Sequence, residues 1–200
     1  MPVRVRTTGP DATAAVGMAL AALLRPGDVV VLGGPLGAGK TRFVQGVAAG
    51  LGVPGRVTSP TFVLVRRHAG RLPLVHVDAY RLDDAAALVT LDDDVLADDV
   101  VTCVEWGGNV AAALPADRLD VQLTVDGDVA DAPRRCTLTP HGPTWAARRG
   151  PLATALGDVA GTVDGVTLLP DGPDGPDGPD GSDSASGPAA ERGPATGAGT

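Results

Sequence analysis

Aromatic residues are scarce in this chain, and one basic and one acidic residue type are almost missing. Aromatics make up 2% of the 200 residues, so a core must be built from Val, Leu and Ala, within a hydrophobic content of 44%. Lysine occurs once, as Lys40, against 15 arginines, and glutamate twice, as Glu105 and Glu191, against 22 aspartates. Because the bias is so strong, these exceptions are worth inspecting for a functional role, with chance placement as the alternative.

The chain also lacks long apolar runs and has few cysteines. No apolar run reaches 18 residues, which excludes a membrane span, and the first residues lack the apolar stretch of a signal peptide. The two cysteines, Cys103 and Cys136, sit in separate strand-like apolar runs. This placement predicts buried, reduced thiols and a cytoplasmic protein rather than a disulfide or metal site.

The end of the chain differs in composition from the rest. Residues 170–200 hold no large apolar side chain and are dominated by Gly, Pro, Asp and Ala, which predicts a disordered tail. The tail carries six acidic residues against Arg192, whereas residues 1–169 carry 18 acidic against 15 basic residues. The near balance of the body argues against a nucleic-acid-binding surface of its own. An acidic tail that fills a basic groove on a partner is the alternative to a plain soluble extension.

A glycine-rich stretch between a strand and a helix carries the strongest chemical signal. The run GPLGAGKT matches the phosphate-binding pattern G-x-x-x-x-G-K-[ST], after the β-branched run DVVVLGG and before an amphipathic helix. Glycines let backbone N–H groups face the phosphates, the helix adds its positive end, and the Thr hydroxyl can bind Mg²⁺. The predicted nucleotide-binding residues here are Leu36, Gly37, Ala38, Gly39, Lys40 and Thr41.

The residues favour ATP over GTP. A guanine-reading Asn/Thr-Lys-x-Asp element needs a lysine, and Lys40 is already used. Two carboxylates, Asp78 and Glu105, end apolar strands at the edge where ligands of parallel sheets bind. Either one can be the acid that holds Mg²⁺, and the other can position the attacking water.

Four motifs together extend this pattern to a family. GPLGAGKT, VTSPTFVLV, HVDAYRL and VEWG, in this order and spacing, resemble the TsaE (YjeE) family over roughly residues 7–139. These are small P-loop ATPases of bacterial tRNA N6-threonylcarbamoyladenosine synthesis. The resemblance implies slow ATP hydrolysis with Mg²⁺, alongside TsaD-like and TsaB-like partners that themselves carry out the transfer to tRNA. Contact with tRNA is then indirect.

The resemblance also implies roles for individual residues. Glu105 matches the Mg²⁺-associated glutamate, which leaves Asp78 as the candidate for water positioning, and Lys40 and Thr41 keep their loop roles. Further matches are Ser59 and Thr61 in a switch-like segment that senses the γ-phosphate, Trp106 beside the nucleotide or in the core, Thr13 near the base, and Arg134 or Arg135 at a phosphate. Pro35 departs from the family, which commonly has an acidic residue at that loop position.

The predicted fold is α/β and P-loop NTPase-like, with a mostly parallel sheet flanked by helices and antiparallel strands added at the end. Residues 1–150 are predicted to form the ATPase domain and residues 151–169 an extension of it. Asp11 or Thr13 is expected to cap the first helix, and the segments RVTSPTFVLVRRH and LPLVHVDAYRL to form strands. Two alternative functions stay open: a nucleotide-gated binding module without required hydrolysis, and a small-molecule P-loop kinase.

Overall fold

The computed structural model describes residues 1–82, 84–91, 94–127 and 132–170, so the predicted tail from residue 171 onward lies outside the described residues. In this part of the chain, eight strands and five helices follow one another: β1 Val3–Thr7, α1 Pro10–Ala21, β2 Val29–Gly33, α2 Lys40–Gly50, β3 Val65–His68, β4 Leu74–Asp78, α3 Ala85–Leu91, β5 Val101–Glu105, β6 Arg118–Val125, β7 Arg134–His141, α4 Gly142–Ala147, α5 Arg149–Thr162 and β8 Val166–Leu168. Short 3-10 turns cover Ala79–Arg81 and Ala111–Ala113.

All eight strands form one sheet in the order β3-β4-β5-β2-β6-β7-β1-β8. The four strands in the middle of the sheet, β4, β5, β2 and β6, run parallel to one another. Antiparallel strands complete the sheet, with β3 beside β4 at one end and β7, β1 and β8 at the other. The predicted α/β, P-loop NTPase-like fold with added antiparallel strands is confirmed. The sheet is mixed rather than mostly parallel as predicted, because four of its seven strand pairs are antiparallel.

Helices cover both faces of the sheet. One apolar core joins α1, α2 and α5 to the sheet through residues such as Val16, Phe43 and Leu156. A second core lies on the other face, where Leu88 of α3 meets Val77 and Val104. Strands β4 and β5 are buried along their whole length, as their continuous apolar runs predict for parallel strands covered on both sides.

Two local predictions are wrong. Neither Asp11 nor Thr13 caps α1, because the helix begins at Pro10 with Gly9 as its N-cap, where the missing N–H of proline costs nothing. The segment before β3 is not a strand: Pro60 accepts hydrogen bonds from the backbone of Val63 and Leu64, at 2.8 and 2.7 Å, which closes a turn. Only Val65–His68 of the predicted strand is extended.

The last described elements belong to the same domain as the sheet. The boundary predicted at 150 falls inside α5, whose Leu152 and Leu156 are buried in the core. Strand β8 then pairs with β1. The hydrophobic side chains of the extension therefore continue the domain to Leu168.

Both cysteines are buried free thiols, as predicted. Burial raises the pKa of Cys136 to about 12, and that of Cys103 further. None of the helices in the described ranges combines the length and the apolar character that a membrane span needs.

Candidate functional site

The glycine loop lies between the end of β2 and the start of α2, and its backbone requires glycine at two points. Gly34 has φ +129°, and a Cβ there would lie 2.2 Å from the carbonyl oxygen of Leu123. Gly39 has φ +104° and is the N-cap of α2, so the chain turns into the helix through a conformation that side chains rarely adopt. Leu36 stands at the exposed tip, and Ala38 is buried.

Lys40 begins α2 and is 95% buried beneath the loop. Its ammonium donates to the carbonyl oxygens of Gly34 and Pro35, at 2.7 and 2.8 Å, and lies 3.5 Å from the ring centroid of Trp106. Burial lowers the pKa of Lys40, while the nearby carboxylates of Glu105 and Asp78 raise it in opposition. The backbone carbonyls of the loop and the indole of Trp106 therefore surround the ammonium.

Glu105 and Asp78 end neighbouring parallel strands at the same level, because the two residues pair in the register of β4 and β5. Adjacent strands lie about 4.8 Å apart, so both carboxylates lie close together at the carboxyl end of the parallel strands. The hydroxyl of Thr41 donates to Oε2 of Glu105 at 3.0 Å. The structure thus brings together the two carboxylates, the lysine and the threonine that the sequence singled out.

Asp78 holds the segment that precedes β3. Its Oδ2 accepts from the hydroxyls of Thr61 and Ser59, at 2.7 and 3.2 Å, and the two hydroxyls are 2.7 Å apart. Its Oδ1 accepts from the backbone N–H of Tyr80 at 3.1 Å and so caps the following turn. Asp78 therefore connects the switch-like segment with Ser59 and Thr61 to the carboxyl end of β4.

Trp106 lines the site rather than the core. Its backbone has φ +61°, and its indole packs on Lys40 and, at 5.1 Å between ring centroids, on Tyr80. The buried core tryptophan is Trp145 instead. Sequence reasoning missed Tyr80 as a site neighbour.

The remaining predicted residues lie at the border of the site. Thr13 is buried in α1, and its hydroxyl is hydrogen-bonded to the Thr7 hydroxyl at 3.0 Å. Its methyl group lies 3.5 Å from the position that a Cβ on Gly39 would occupy. Arg134 donates to the carbonyl of Ala132 and Arg135 to Asp126, so these contacts hold both arginines at the start of β7. The structure places Thr13 next to the glycine loop. The hydrogen bonds of Arg134 and Arg135 go to residues near the start of β7 and the end of β6 rather than to the loop.

Two further residues contact the site although the sequence analysis did not single them out. His76 is fully buried on β4, and its Nε2 lies 2.8 Å from Oε1 of Glu105. Arg81 donates to the carbonyl oxygen of Thr61. A strand has a period of two, so the spacing from His76 to Asp78 places both on one face, and this signal was available in HVD.

The sheet order, the glycine loop and the lysine at the start of α2 define the chain as a P-loop protein. The family model described as "Threonylcarbamoyl adenosine biosynthesis protein TsaE" matches residues 7–135, and the chain belongs to this family.

Similar proteins in several bacteria carry the same family name. A Streptomyces coelicolor protein named "tRNA threonylcarbamoyladenosine biosynthesis protein TsaE" is 49% identical over 138 residues, which cover 66% of this chain and 92% of that protein. A Bacillus subtilis protein of the same name is 41% identical over 124 residues, 62% of this chain and 78% of that protein. The crystal structure of Bacillus YdiB is similar with a TM-score of 0.65 and 32% identity, covering 77% of this chain and 95% of the YdiB chain.

Proposed function

We propose that this chain binds ATP with Mg²⁺, hydrolyses it slowly, and serves the synthesis of threonylcarbamoyladenosine in tRNA together with TsaD-like and TsaB-like proteins. The observation that carries the proposal is the meeting of Lys40, Thr41 and Glu105 at one end of the glycine loop. Membership of the TsaE family supports the pathway. The near-neutral body leaves contact with tRNA to the partners.

The residues at the carboxyl end of the parallel strands fit a magnesium nucleotide. The hydroxyl of Thr41 and the carboxylate of Glu105 are hard oxygen ligands of the kind Mg²⁺ prefers, and they already lie 3.0 Å apart. The carbonyl partners of Lys40 can be exchanged for phosphate oxygens, which bind an ammonium more strongly because they are charged. Mg²⁺, when bound, would neutralise charge on the phosphates during hydrolysis.

In this proposal each residue of the chain has a separate task. Lys40 binds the β- and γ-phosphates, and Thr41 with Glu105 holds the metal. Asp78 orients the attacking water once Ser59 or Thr61 releases its Oδ2. Trp106 covers the ammonium and excludes solvent from it.

One observation favours a second function, a nucleotide-gated binding module without required hydrolysis. Both Ser59 and Thr61 donate to the oxygen of Asp78 that water positioning would need. If these hydrogen bonds persist with nucleotide bound, Asp78 holds the segment with Ser59 and Thr61 and does not orient a water molecule. The chain would then use ATP to assemble a complex.

Replacing Glu105 by Gln distinguishes the two functions. We expect Glu105→Gln to lower the ATP hydrolysis rate about 100-fold, because removing even a group that only orients a metal ligand typically costs about 10- to 100-fold. The measurement is phosphate release with and without the partner proteins. Asp120→Asn is the matched control, since this carboxylate on β6 pairs with Arg118, away from the loop.

The same variant in cells decides between hydrolysis and gating. Threonylcarbamoyladenosine in tRNA should fall when Glu105→Gln replaces the native chain. An undiminished level would favour the binding module. Turnover that the partner proteins leave unchanged would contradict the proposed place in the tRNA modification machinery.

A further inference from the structure

A histidine with no task in the mechanism above is buried directly beneath the site. His76 lies on β4, on the same face of the sheet as Asp78, and its side chain is fully buried. Its Nε2 is 2.8 Å from Oε1 of Glu105, whose side chain is 4% exposed. An apolar side chain would pack here without any need for a polar partner, so the residue type calls for an explanation.

The contacts of the ring define which nitrogen carries the hydrogen. Nε2 faces a carboxylate oxygen, which accepts, so Nε2 donates. Nδ1 is buried and has no hydrogen-bond partner among the residues that the structure describes. A proton on Nδ1 would bury an unpaired donor, so the tautomer with hydrogen on Nε2 is the one that fits.

The carboxylate of Glu105 is thereby divided between two partners. Oε1 accepts from His76, and Oε2 accepts from the hydroxyl of Thr41. A donor on Oε1 fixes the rotation of the carboxylate plane and directs Oε2 toward Thr41. Without this donor, the Thr41 hydroxyl alone would restrain the rotation of the buried carboxylate about its last torsion.

We propose that His76 is a positioning residue that fixes the Glu105 carboxylate, so that Oε2 and the Thr41 hydroxyl form a preorganised pair of ligands for a divalent cation. The inference rests on the proposed function, since it concerns the same metal nucleotide. Partners that orient a ligand in this way typically change metal affinity 10- to 100-fold when they are removed. His76 acts on the metal through Glu105 and touches neither nucleotide nor cation.

Binding measurements on four chains test this role without relying on activity. Calorimetry gives the ATP affinity of the wild-type chain, His76→Leu, His76→Gln and Cys103→Ala, each in excess Mg²⁺ and in EDTA. Cys103 is the matched control, because it pairs with His76 in the register of β4 and β5 and is equally buried. It probes packing in the same layer of the sheet.

We expect the increase in ATP affinity that Mg²⁺ produces to be 10- to 100-fold smaller in His76→Leu than in the wild-type chain. In EDTA, the affinity of His76→Leu should equal that of the wild-type chain. His76→Gln should recover most of the gain, because its amide nitrogen can take the place of Nε2. Cys103→Ala should behave as wild type in both conditions. Should His76→Leu fail to fold, His76→Gln against His76→Asn gives the same comparison, since the shorter amide does not reach Oε1.

A second background separates positioning from packing. With Glu105→Gln already present, His76→Leu should have no further effect on the Mg²⁺ dependence, because the two residues act as one unit. An equal loss of affinity in Mg²⁺ and EDTA, or an additive effect with Glu105→Gln, would overturn the inference. A wild-type chain that binds ATP equally with and without Mg²⁺ would also overturn it and leave ATP binding standing. A wild-type chain that binds no ATP in either condition, alone or with its partners, would overturn the proposed function itself.

Discussion

Two residues with side chains adopt positive φ angles in the described chain, and both border the candidate site. Leu64, at the end of the turn that follows Ser59 and Thr61, has φ +65°, and Trp106 has φ +61°. A non-glycine residue in this region costs about 1–3 kcal/mol, which the surrounding structure must offset. At Trp106 the backbone N–H donates to Leu32 at 2.9 Å, and the turn places the indole over Lys40.

The fluorescence of Trp106 should therefore report changes in the contacts of the Lys40 ammonium. The ammonium lies 3.5 Å from the indole centroid, whereas the other tryptophan, Trp145, packs in the core. We expect Mg·ADP or Mg·ATP to change the fluorescence of a Trp145→Phe chain, because the ammonium moves to phosphate and the ring loses a cationic neighbour. Titration of nucleotide against emission measures this.

The matched variant is Trp106→Phe, which retains only the core tryptophan. Its emission should stay constant over the same titration. A nucleotide signal from Trp145 alone would contradict the placement of Trp106 beside the phosphates.

At the scale of elements, α1 and α2 approach so closely that glycine is required between them. A Cβ on Gly46 of α2 would lie 1.9 Å from the carbonyl oxygen of Ala14, and one on Gly17 of α1 would lie 2.2 Å from that of Phe43. Backbone atoms cannot move aside as a flexible side chain can. This contact holds α1 against the helix that starts at the glycine loop.

Gly46→Ala should lower the free energy of unfolding by about 1–3 kcal/mol, the usual cost of overpacking, in spite of the better helix propensity of alanine. Urea unfolding of the purified chain measures it. Gly161→Ala on α5 is the control, because no atom lies within 4 Å of its added Cβ. That change should leave the stability unchanged or raise it by up to about 1 kcal/mol. A Gly46→Ala chain as stable as wild type would contradict the close approach.

At the scale of the whole molecule, one buried ion pair joins distant parts of the chain. Arg148, between α4 and α5, donates to both oxygens of Asp28 just before β2, at 2.6 and 2.7 Å. The guanidinium also reaches the carbonyl of Leu23 at 3.1 Å and stacks on Trp145 at 3.8 Å. The C-terminal helices are thus tied to the start of the strand that leads into the site.

Asp28→Ala should lower the free energy of unfolding by about 3–5 kcal/mol, because it leaves the arginine buried without its counter-charge. The double change Asp28→Asn with Arg148→Met should recover much of this loss, since no unpaired charge remains. Urea unfolding compares these chains.

The control is the exposed ion pair between Asp11 and Arg42, with side chains 92% and 40% exposed. Asp11→Ala should cost no more than about 1 kcal/mol. Equal losses from Asp28→Ala and Asp11→Ala would show that the buried pair has no special role in stability.

The sequence by itself determined the parts that depend on local chemistry. The buried strands β2, β4 and β5, the loop from Gly34 to Thr41 and the α2 helix follow from residue type, period and spacing along the chain. Glu105 and Asp78 could be placed at strand ends for the same reason. Each of these signals lies within a few residues of the feature that it predicts.

Only the tertiary structure decided the contacts between segments far apart in the chain. The turn before β3 forms because Ser59 and Thr61 bond to Asp78, and this partner overrides the strand propensity of the segment. Likewise, His76 meets Glu105 only because β4 and β5 pair in register, and α5 joins the domain because Leu152 and Leu156 find a core to fill. Such contacts are set by the register and packing of the whole sheet, which no local stretch of sequence encodes.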